Sequence, residues 1–405
     1  MQTHTHRGIR RGLVLGIVVI GLLAYASWAL LRPMPAIQPD NSLSQHRTSA
    51  PAAPLAWPAS GQAAVGIIDS AISENTGSQT PVPTASTAKI ITALVVLDKK
   101  PLKAGEAGPV ITLTPADVAL YEGYKAVDGS LLPVVAGEQL SEYQMLQAIM
   151  LPSANNIADS LAIWAFGSLP TYSTAANEWL AAHKLTNTHV GTDASGLSPT
   201  TTSTAIDLVA LGTLAIKQPA LAAVVAQKTA TGIPVVSTIS NVNSLLGTDN
   251  IIGIKTGNSD EAGGVFVSAS RIPVNGKAVT IVTAVAASAN LYSALSTSRT
   301  LVRSAQAHFA PLQIVKKGQT VGSYTAPWGV RTNAVAAQDM TQIMWQGGVV
   351  QSRIQLETIP SAKEHNKVGV VTVAESAITG KRSVDIKLSS ELAGPSVFWR
   401  LGHPF

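Results

Sequence analysis

A chain of 405 residues is too long for one ordinary domain and points to two. Hydrophobic residues make up 46% and charged residues only 13%, about half the usual ~25% charged share, so the bulk of the chain has ample core material and is not disordered by charge repulsion. Setting aside Arg7, Arg10, Arg11 and Arg32 reduces the net charge of +5 to about +1 with no basic stripe, which excludes a nucleic-acid footprint; the lack of cysteine excludes disulfide frameworks, thiolate zinc sites and cysteine nucleophiles.

Residues 1–11 read as a short cytoplasmic N-terminus. Gly12 to Leu31 then carries no charge, and at helical rise it covers about 30 Å, enough to cross a bilayer core as a transmembrane anchor. Three arginines precede it and no acid does, which places the rest of the chain outside by the positive-inside rule. The rival is a cleaved signal peptide, with Ala24-Tyr25-Ala26 as the small-residue site. The apolar run continues past it through Trp28, Leu30 and Leu31, longer than the roughly 7–15 residues such peptides use, and favours the retained anchor. Residues 32–60, rich in Pro, Ala, Ser and Gln without hydrophobic period, read as an extended tether.

Residues 61–310 form the next block. Ala63 to Ile68 predicts an opening strand. Ile90, Ile91, Leu94, Val95 and Leu97 at helical spacing predict a buried helix from Ser86 to Leu97. Ser141 and Gln144 form a capping-box pattern after Leu140 and start a helix that ends at Leu151-Pro152. Further helices are expected at Asn156–Trp164, Ala175–Ala182 and Thr204–Ile216. After about residue 231 the pattern turns to strands at Ile251–Thr256, Gly264–Ala269 and Lys277–Ala286, the last two joined through Asn275-Gly276, a strong hairpin pattern. A helix at Leu291–Ala307 closes the block. The order strand, helices, antiparallel meander is an α+β arrangement of helices packed on an antiparallel sheet. Residues 311–405 carry short alternating runs at 313–319, 349–357, 367–373 and 383–388, and read as a small all-β domain.

Three short motifs carry chemistry. Ser86-Thr87-Ala88-Lys89 puts the lysine amine and the serine oxygen on one helix face. A serine hydroxyl is a poor nucleophile until a base takes its proton, and a lysine is that base only when burial or a neighbouring cation keeps it neutral. Ser153-Ala154-Asn155 follows the helix ended by Pro152, and a polar loop between two buried helices can aim a hydroxyl and an amide into a cleft. Lys255-Thr256-Gly257 ends an apolar strand, where glycine leaves room for a second backbone at the strand edge and the lysine offers a cation to a carboxylate. Each motif alone is a common coincidence: a helix-start serine with a solvent-reaching lysine, a cap and turn, a strand running into a turn.

In this order and context they resemble the motif set of the penicillin-recognising serine enzymes. Pro83 to Ala93 is similar to the P-A-S-x-x-K-x-x-T-A segment of exported D-alanyl-D-alanine carboxypeptidases, the low-molecular-mass penicillin-binding proteins. Met150 to Ala158 resembles their S-x-N-D-A segment. Asp193-Ala-Ser-Gly-Leu197 with Ser203 to Leu208 resembles their G-L and S-T-A-x-D-L stretch, and Gly253 to Gly263 their G-x-K-T-G-x-T-x-x-A-G strand. The resemblance covers about residues 61–308. It implies that Ser86 attacks the carbonyl between two D-alanines of a peptidoglycan stem peptide, with Lys89 as general base. The backbone N–H groups of Ser86 and Asn258 would hold the oxyanion, Ser153 and Asn155 would assist proton transfer and hold substrate, and Lys255, Thr256 and Gly257 would line the carboxylate end. β-Lactams would acylate Ser86 as mimics of the dipeptide, and neither cofactor nor metal is required.

The chain departs from the pattern at Asn156, where an aspartate is usual, at Ser259 in place of threonine, and at Ala286 to Tyr292, which lacks the cation many relatives carry there. The stretch from Gly394 to Phe405 is a poor candidate for a C-terminal amphipathic helix, and the N-terminal span would replace that anchor. Rival readings are a D,D-endopeptidase cutting cross-links, a β-lactamase, and a non-catalytic membrane-tethered wall-binding scaffold. No H-E-x-x-H or G-x-S-x-G motif supports a zinc peptidase or an α/β-hydrolase.

Overall fold

The chain divides into two units in the computed structural model, which describes residues 5–40, 45–49, 54–361, 366–375, 378 and 380–403. One unit comprises residues 51–310 with 376–378, and the other residues 1–50 with 311–375 and 379–405.

The first unit is built on a five-stranded sheet of β1 (Gln62–Ile67), β2 (Ser73–Thr76), β3 (Ile251–Ser259), β4 (Gly263–Val274) and β5 (Lys277–Ser288), in the order β3-β4-β5-β1-β2. Every neighbour is antiparallel. The β4–β5 hairpin closes as its residues dictate: Val274 pairs with Lys277, and Asn275 and Gly276 take φ of 51° and 79°, the left-handed pair that an Asn-Gly turn supplies. Helices cover both faces, so β4 and β5 are buried on both sides. On one face α7 (Ala205–Lys217) brings Gly212 so close that a Cβ there would meet Val282, Val267 and Ile254 at 2.8–3.0 Å. On the other, α9 (Leu291–Ala307) sets Ser298 beside Thr283, which pairs with Ser268. Residues 267 and 268 point to opposite faces because side chains alternate along a strand.

The main core is formed among α2 (Ala88–Lys99), α4 (Glu142–Met150), α5 (Asn155–Phe166) and α6 (Leu169–Ala182), includes Ile90, Leu94, Met145, Ile149, Ile157 and Leu161, and runs on through α7 to the sheet. The capping box forms as the sequence requires: Ser141 Oγ accepts from Gln144 N, and Gln144 Oε1 accepts from Ser141 N. The helix expected from Ser86 to Leu97 begins differently from the expectation. Residues Ala85–Thr87 form a 3-10 turn that leads into α2, so Ser86 lies on the turn and Lys89 in the first helical turn. Two helices were not expected. The short α8 (Pro219–Val225) follows α7. α3 (Pro115–Lys125) has no buried residue and so no apolar stripe to read, and only its Thr114–Asp117 capping box marks it.

In the second unit, seven strands form one sheet in the order 39–40, 320–325, 331–336, 382–388, 367–373, 349–356 and 45–49. The strand Phe309–Val315 pairs with Met340–Trp345. Within residues 32–60, read as an extended tether, Pro39–Asp40 pairs with Thr320–Thr325 and Gln45–Ser49 with Val349–Leu356, at the two edges of the sheet. An edge offers unpaired backbone N–H and C=O groups to any extended segment, so a polar stretch without hydrophobic period can join it. The helix α1 (Thr5–Leu31) extends the expected span toward the N-terminus. Its 11–31 portion is the one helix among the described residues long and apolar enough by itself to cross a membrane. The C-terminal segment, expected to be a poor helix, forms the six-residue α10 (Val397–Gly402). Tyr25 donates to the Leu401 carbonyl at 2.7 Å, and Arg400 donates to the Leu30 carbonyl.

Candidate active site

Lys89 is the centre of the site. Its side chain is 0% exposed, because the first turn of α2 faces into the core. Its amine lies 2.9 Å from Ser86 Oγ and donates to Asn155 Oδ1 at 2.7 Å and to the Ser195 carbonyl at 2.8 Å. Burial drives the Lys89 amine down to about 7, against the opposing pull of the Asp193 and Asp159 carboxylates. Removing water from around an ammonium disfavours its charged form, so about half of the Lys89 side chains carry a free amine near pH 7. When the amine is neutral, the serine hydroxyl donates to it along the same 2.9 Å contact.

Backbone geometry presents the serine. Ala85, just before it, has φ of +43°, a conformation costly to a residue with a Cβ, and it turns the chain sharply into the 3-10 turn. Ser86 itself is partly exposed while Lys89 beneath it is sealed. Gly257 lies against this turn: a Cβ there would meet Thr84 O at 3.0 Å and the backbone nitrogens of Ser86 and Thr87 at 3.1 Å. The glycine thus lets the strand pack close against the Thr84–Thr87 backbone, beyond the room it was expected to leave for a substrate. β3 is an edge strand of the sheet. Its Asn258 follows directly, exposed, with Oδ1 accepting from Leu291 N at 2.9 Å.

Ser153 and Asn155 sit at the start of α5. Ser153 has φ of +70°, is 5% exposed, and its buried hydroxyl has no hydrogen-bond partner. Buried hydroxyls are ordinarily satisfied, so a strained residue holding an unpaired one suits a group kept for an incoming partner. Asn156 answers the first departure from the family pattern. Its Oδ1 accepts from Leu132 N at 3.1 Å, and its Nδ2 donates to Leu132 O at 2.9 Å. An ionised aspartate, an acceptor only, would lose the second bond.

Lys255 is 1% exposed and donates to the Thr256 carbonyl at 3.0 Å. Burial, then the nearby Lys89, holds its amine well below the ordinary lysine value. Thr256 is also buried. Among the described residues neither Ser153 nor Lys255 is hydrogen-bonded to Ser86 or Lys89. Ser86, Lys89 and Asn155 therefore form one bonded cluster, with Gly257 packed against its backbone.

The sequence reading missed the residues behind the lysine. Asp159 on α5 is 2% exposed, accepts from Tyr124 OH at 2.6 Å and from Ala194 N at 2.9 Å, and burial raises its carboxyl to about 6. Asp193 accepts from Ser195 Oγ at 2.5 Å and from Leu197 N at 2.9 Å. The 193–197 stretch enters the sequence analysis as a motif without a role, and its Ser195 carbonyl accepts from the Lys89 amine. For Tyr124 the available pointer was the Thr114–Asp117 capping box that opens its helix; Asp159 stood out only as a charge inside an otherwise apolar helical run.

A family model described as D-alanyl-D-alanine carboxypeptidase matches residues 64–287. Among solved structures, penicillin binding protein 5 from Haemophilus influenzae is similar at 18% identity and a TM-score of 0.57, over 84% of this chain and 98% of that chain. The Streptomyces K15 DD-transpeptidase is similar at 24% identity and a TM-score of 0.55, over 64% of this chain and 99% of that chain. At these identities the likeness is one of fold. The 84% coverage exceeds what residues 51–310 alone could supply, so that match extends into the β unit. No curated protein matches the chain.

Proposed function

The chain belongs to the D-alanyl-D-alanine carboxypeptidase family, and from that premise we propose that Ser86 removes the terminal D-alanine of peptidoglycan stem peptides through an acyl-enzyme. The observation that carries this reading is the buried Lys89 amine, 2.9 Å from Ser86 Oγ and held near 7.

Neutral Lys89 takes the Ser86 proton as Oγ forms a bond to the carbonyl carbon between the two D-alanines. The carbonyl oxygen becomes an oxyanion facing the backbone N–H groups of Ser86 and Asn258. Asn155, bonded to the Lys89 amine at 2.7 Å, holds it through the proton transfer. The proton then passes from Lys89, with Ser153 Oγ as the unpaired hydroxyl able to relay it, to the nitrogen of the departing D-alanine. The C–N bond breaks and leaves an ester on Ser86. Water attacks the ester, Lys89 accepts its proton and returns one to Ser86 Oγ, and the shortened stem leaves. No step needs a metal or an organic cofactor.

Lys255 and Thr256 are the residues proposed for the terminal carboxylate. The Lys255 amine is held low by burial and by Lys89; a bound carboxylate would draw the proton back, so substrate binding and charging of Lys255 are coupled. β-Lactams enter the same path, with the ring amide in place of the peptide bond. The stretch 286–292 has no cation, which leaves carboxylate selectivity to Lys255 and keeps cross-link cleavage as the second reading. The helix at 11–31 is proposed as a retained anchor that places residues 51–310 on the wall side of the membrane.

The test is to incubate the detergent-solubilised full-length chain with a pentapeptide stem and, separately, with a cross-linked dimer. Free D-alanine from the pentapeptide, lost in Ser86→Ala, is expected. A silent pentapeptide with a cleaved dimer overturns tail trimming in favour of the endopeptidase.

A further inference from the structure

The Lys89 amine is held by a main-chain carbonyl, and that carbonyl belongs to a peptide fixed from both sides. The Ala194 N–H donates to Asp159 Oδ1 at 2.9 Å. Thr92 Oγ1 donates to the Ala194 carbonyl at 2.6 Å and shares a 2.8 Å hydrogen bond with Tyr172 OH. The next carbonyl, of Ser195, receives Lys89 at 2.8 Å. Gly196 follows with φ of +74°, and a Cβ there would meet the Ala85 carbonyl at 2.2 Å. The 193–197 turn is thereby wedged between Asp159 and the turn that presents the nucleophile.

Asp159 has a second neighbour set. Tyr124 OH donates to its Oδ2 at 2.6 Å, and Ser195 Oγ lies 3.3 Å from the same phenol oxygen while donating to Asp193 Oδ2 at 2.5 Å. Two buried carboxylates thus stand behind one buried amine, and Asp193 Oδ1 has no hydrogen-bond partner. The charged and titratable groups around the amine come from every element packed on it: Asp159 from α5, Asp193 from the turn, Lys255 from β3, and Tyr124 and Tyr172 from α3 and α6. Nothing in the acylation steps uses Asp159, yet a buried carboxylate costs several kcal/mol of desolvation unless it is used or well paired.

We propose that Asp159 is a positioning residue for the general base: it fixes the Ala194–Ser195 peptide whose carbonyl holds Lys89, and with Asp193 it stands as a carboxylate behind that amine. Burial alone would depress the lysine further, and the two carboxylates bring it back to about 7. The balance matters because a base works best with its proton affinity matched to the operating pH. A lysine far below that range would be free but too weak to draw the serine proton. Asp159, raised by burial to about 6, is about half ionised at pH 6 and about 90% ionised at pH 7, so its charge is present over the upper part of the range in which Lys89 titrates.

The inference rests on Lys89 acting as the base, and the experiment separates the two. The rate of acylation by a fluorescent penicillin is followed from pH 5 to 9 in the full-length wild type and in Asp159→Asn. If Lys89 is the base, the wild type shows an acid limb. If Asp159 contributes its charge beside that of Asp193, the limb in Asp159→Asn moves to lower pH by up to about one unit, with the plateau lowered by the loss of positioning. A wild type without an acid limb removes the base assignment. A limb that stays in place while the rate falls equally at every pH overturns the inference, because that is what a merely structural carboxylate gives. Tyr124→Phe provides the second reading should Asp159→Asn not fold. Losing that donor raises the Asp159 carboxyl, so the limb again moves to lower pH by a smaller amount, and an unmoved limb refutes the coupling.

Discussion

Acylation should titrate with Lys89. An ordinary lysine amine near 10.4 is only about 0.04% neutral at pH 7, so lowering it to about 7 multiplies the free base by about 1,000. The neutral fraction then climbs from about 1% at pH 5 to about 99% at pH 9, which predicts acylation about 100-fold slower at the acid end with a midpoint near 7. The perturbation that isolates the group is Lys89→Arg. A guanidinium stays charged throughout this range and cannot accept the proton, so the variant should lose at least about 1,000-fold at every pH while the fold persists. The assay is stopped-flow acylation by a fluorescent penicillin, with circular dichroism to verify folding. A wild-type profile flat between pH 5 and 9, a midpoint near 10, or an arginine variant that keeps the wild-type rate would refute the reasoning.

Three further outcomes follow from particular contacts. Ser153→Ala deletes a buried hydroxyl that has no partner, so urea unfolding should change by less than about 0.5 kcal/mol, whereas turnover of a D-alanyl peptide should fall by about 100-fold as the proton relay is lost; a stability loss without a rate loss would make the residue structural. Gly257→Ala puts a Cβ 3.1 Å from the Ser86 and Thr87 nitrogens, so the nucleophile turn must yield by tenths of an ångström, and acylation should slow by at least about 10-fold, with an unchanged rate contradicting the packing argument. Lys89→Met tests linkage. The folded-state amine lies below its unfolded value, so the stability it contributes is present above about pH 10.5 and is lost as pH falls toward 7. The wild type should gain about 1.4 kcal/mol per pH unit over that window relative to the variant, and parallel stability curves measured by urea unfolding would contradict it.

How much of this was legible in the residues depended on what each feature uses to announce itself. The β4–β5 hairpin and the helix at Glu142–Met150 were readable because Asn-Gly and Ser141-x-x-Gln144 impose local backbone geometry. Ser86, Lys89 and Asn155 stood out as a set by their types and order, although only the fold brings the last of them within 2.7 Å of the amine. The polar edge strands at 39–40 and 45–49 were not legible, because their pairing is a main-chain matter to which side-chain periodicity is blind. Asp159 and Tyr124 were hidden for a related reason: a carboxylate behind a base has no spacing rule, and its partners come from sequence positions 35 residues away in each direction.

Mapping the covalent label tests the central claim most directly. The full-length chain is treated with a β-lactam, digested, and sequenced by mass spectrometry, which separates the part-exposed Ser86 from the buried Ser153, both in family-like motifs. The account predicts one adduct, on the peptide carrying Ser86, absent in Ser86→Ala. An adduct on Ser153, or a labelled protein that keeps its label when Ser86 is replaced, would contradict it.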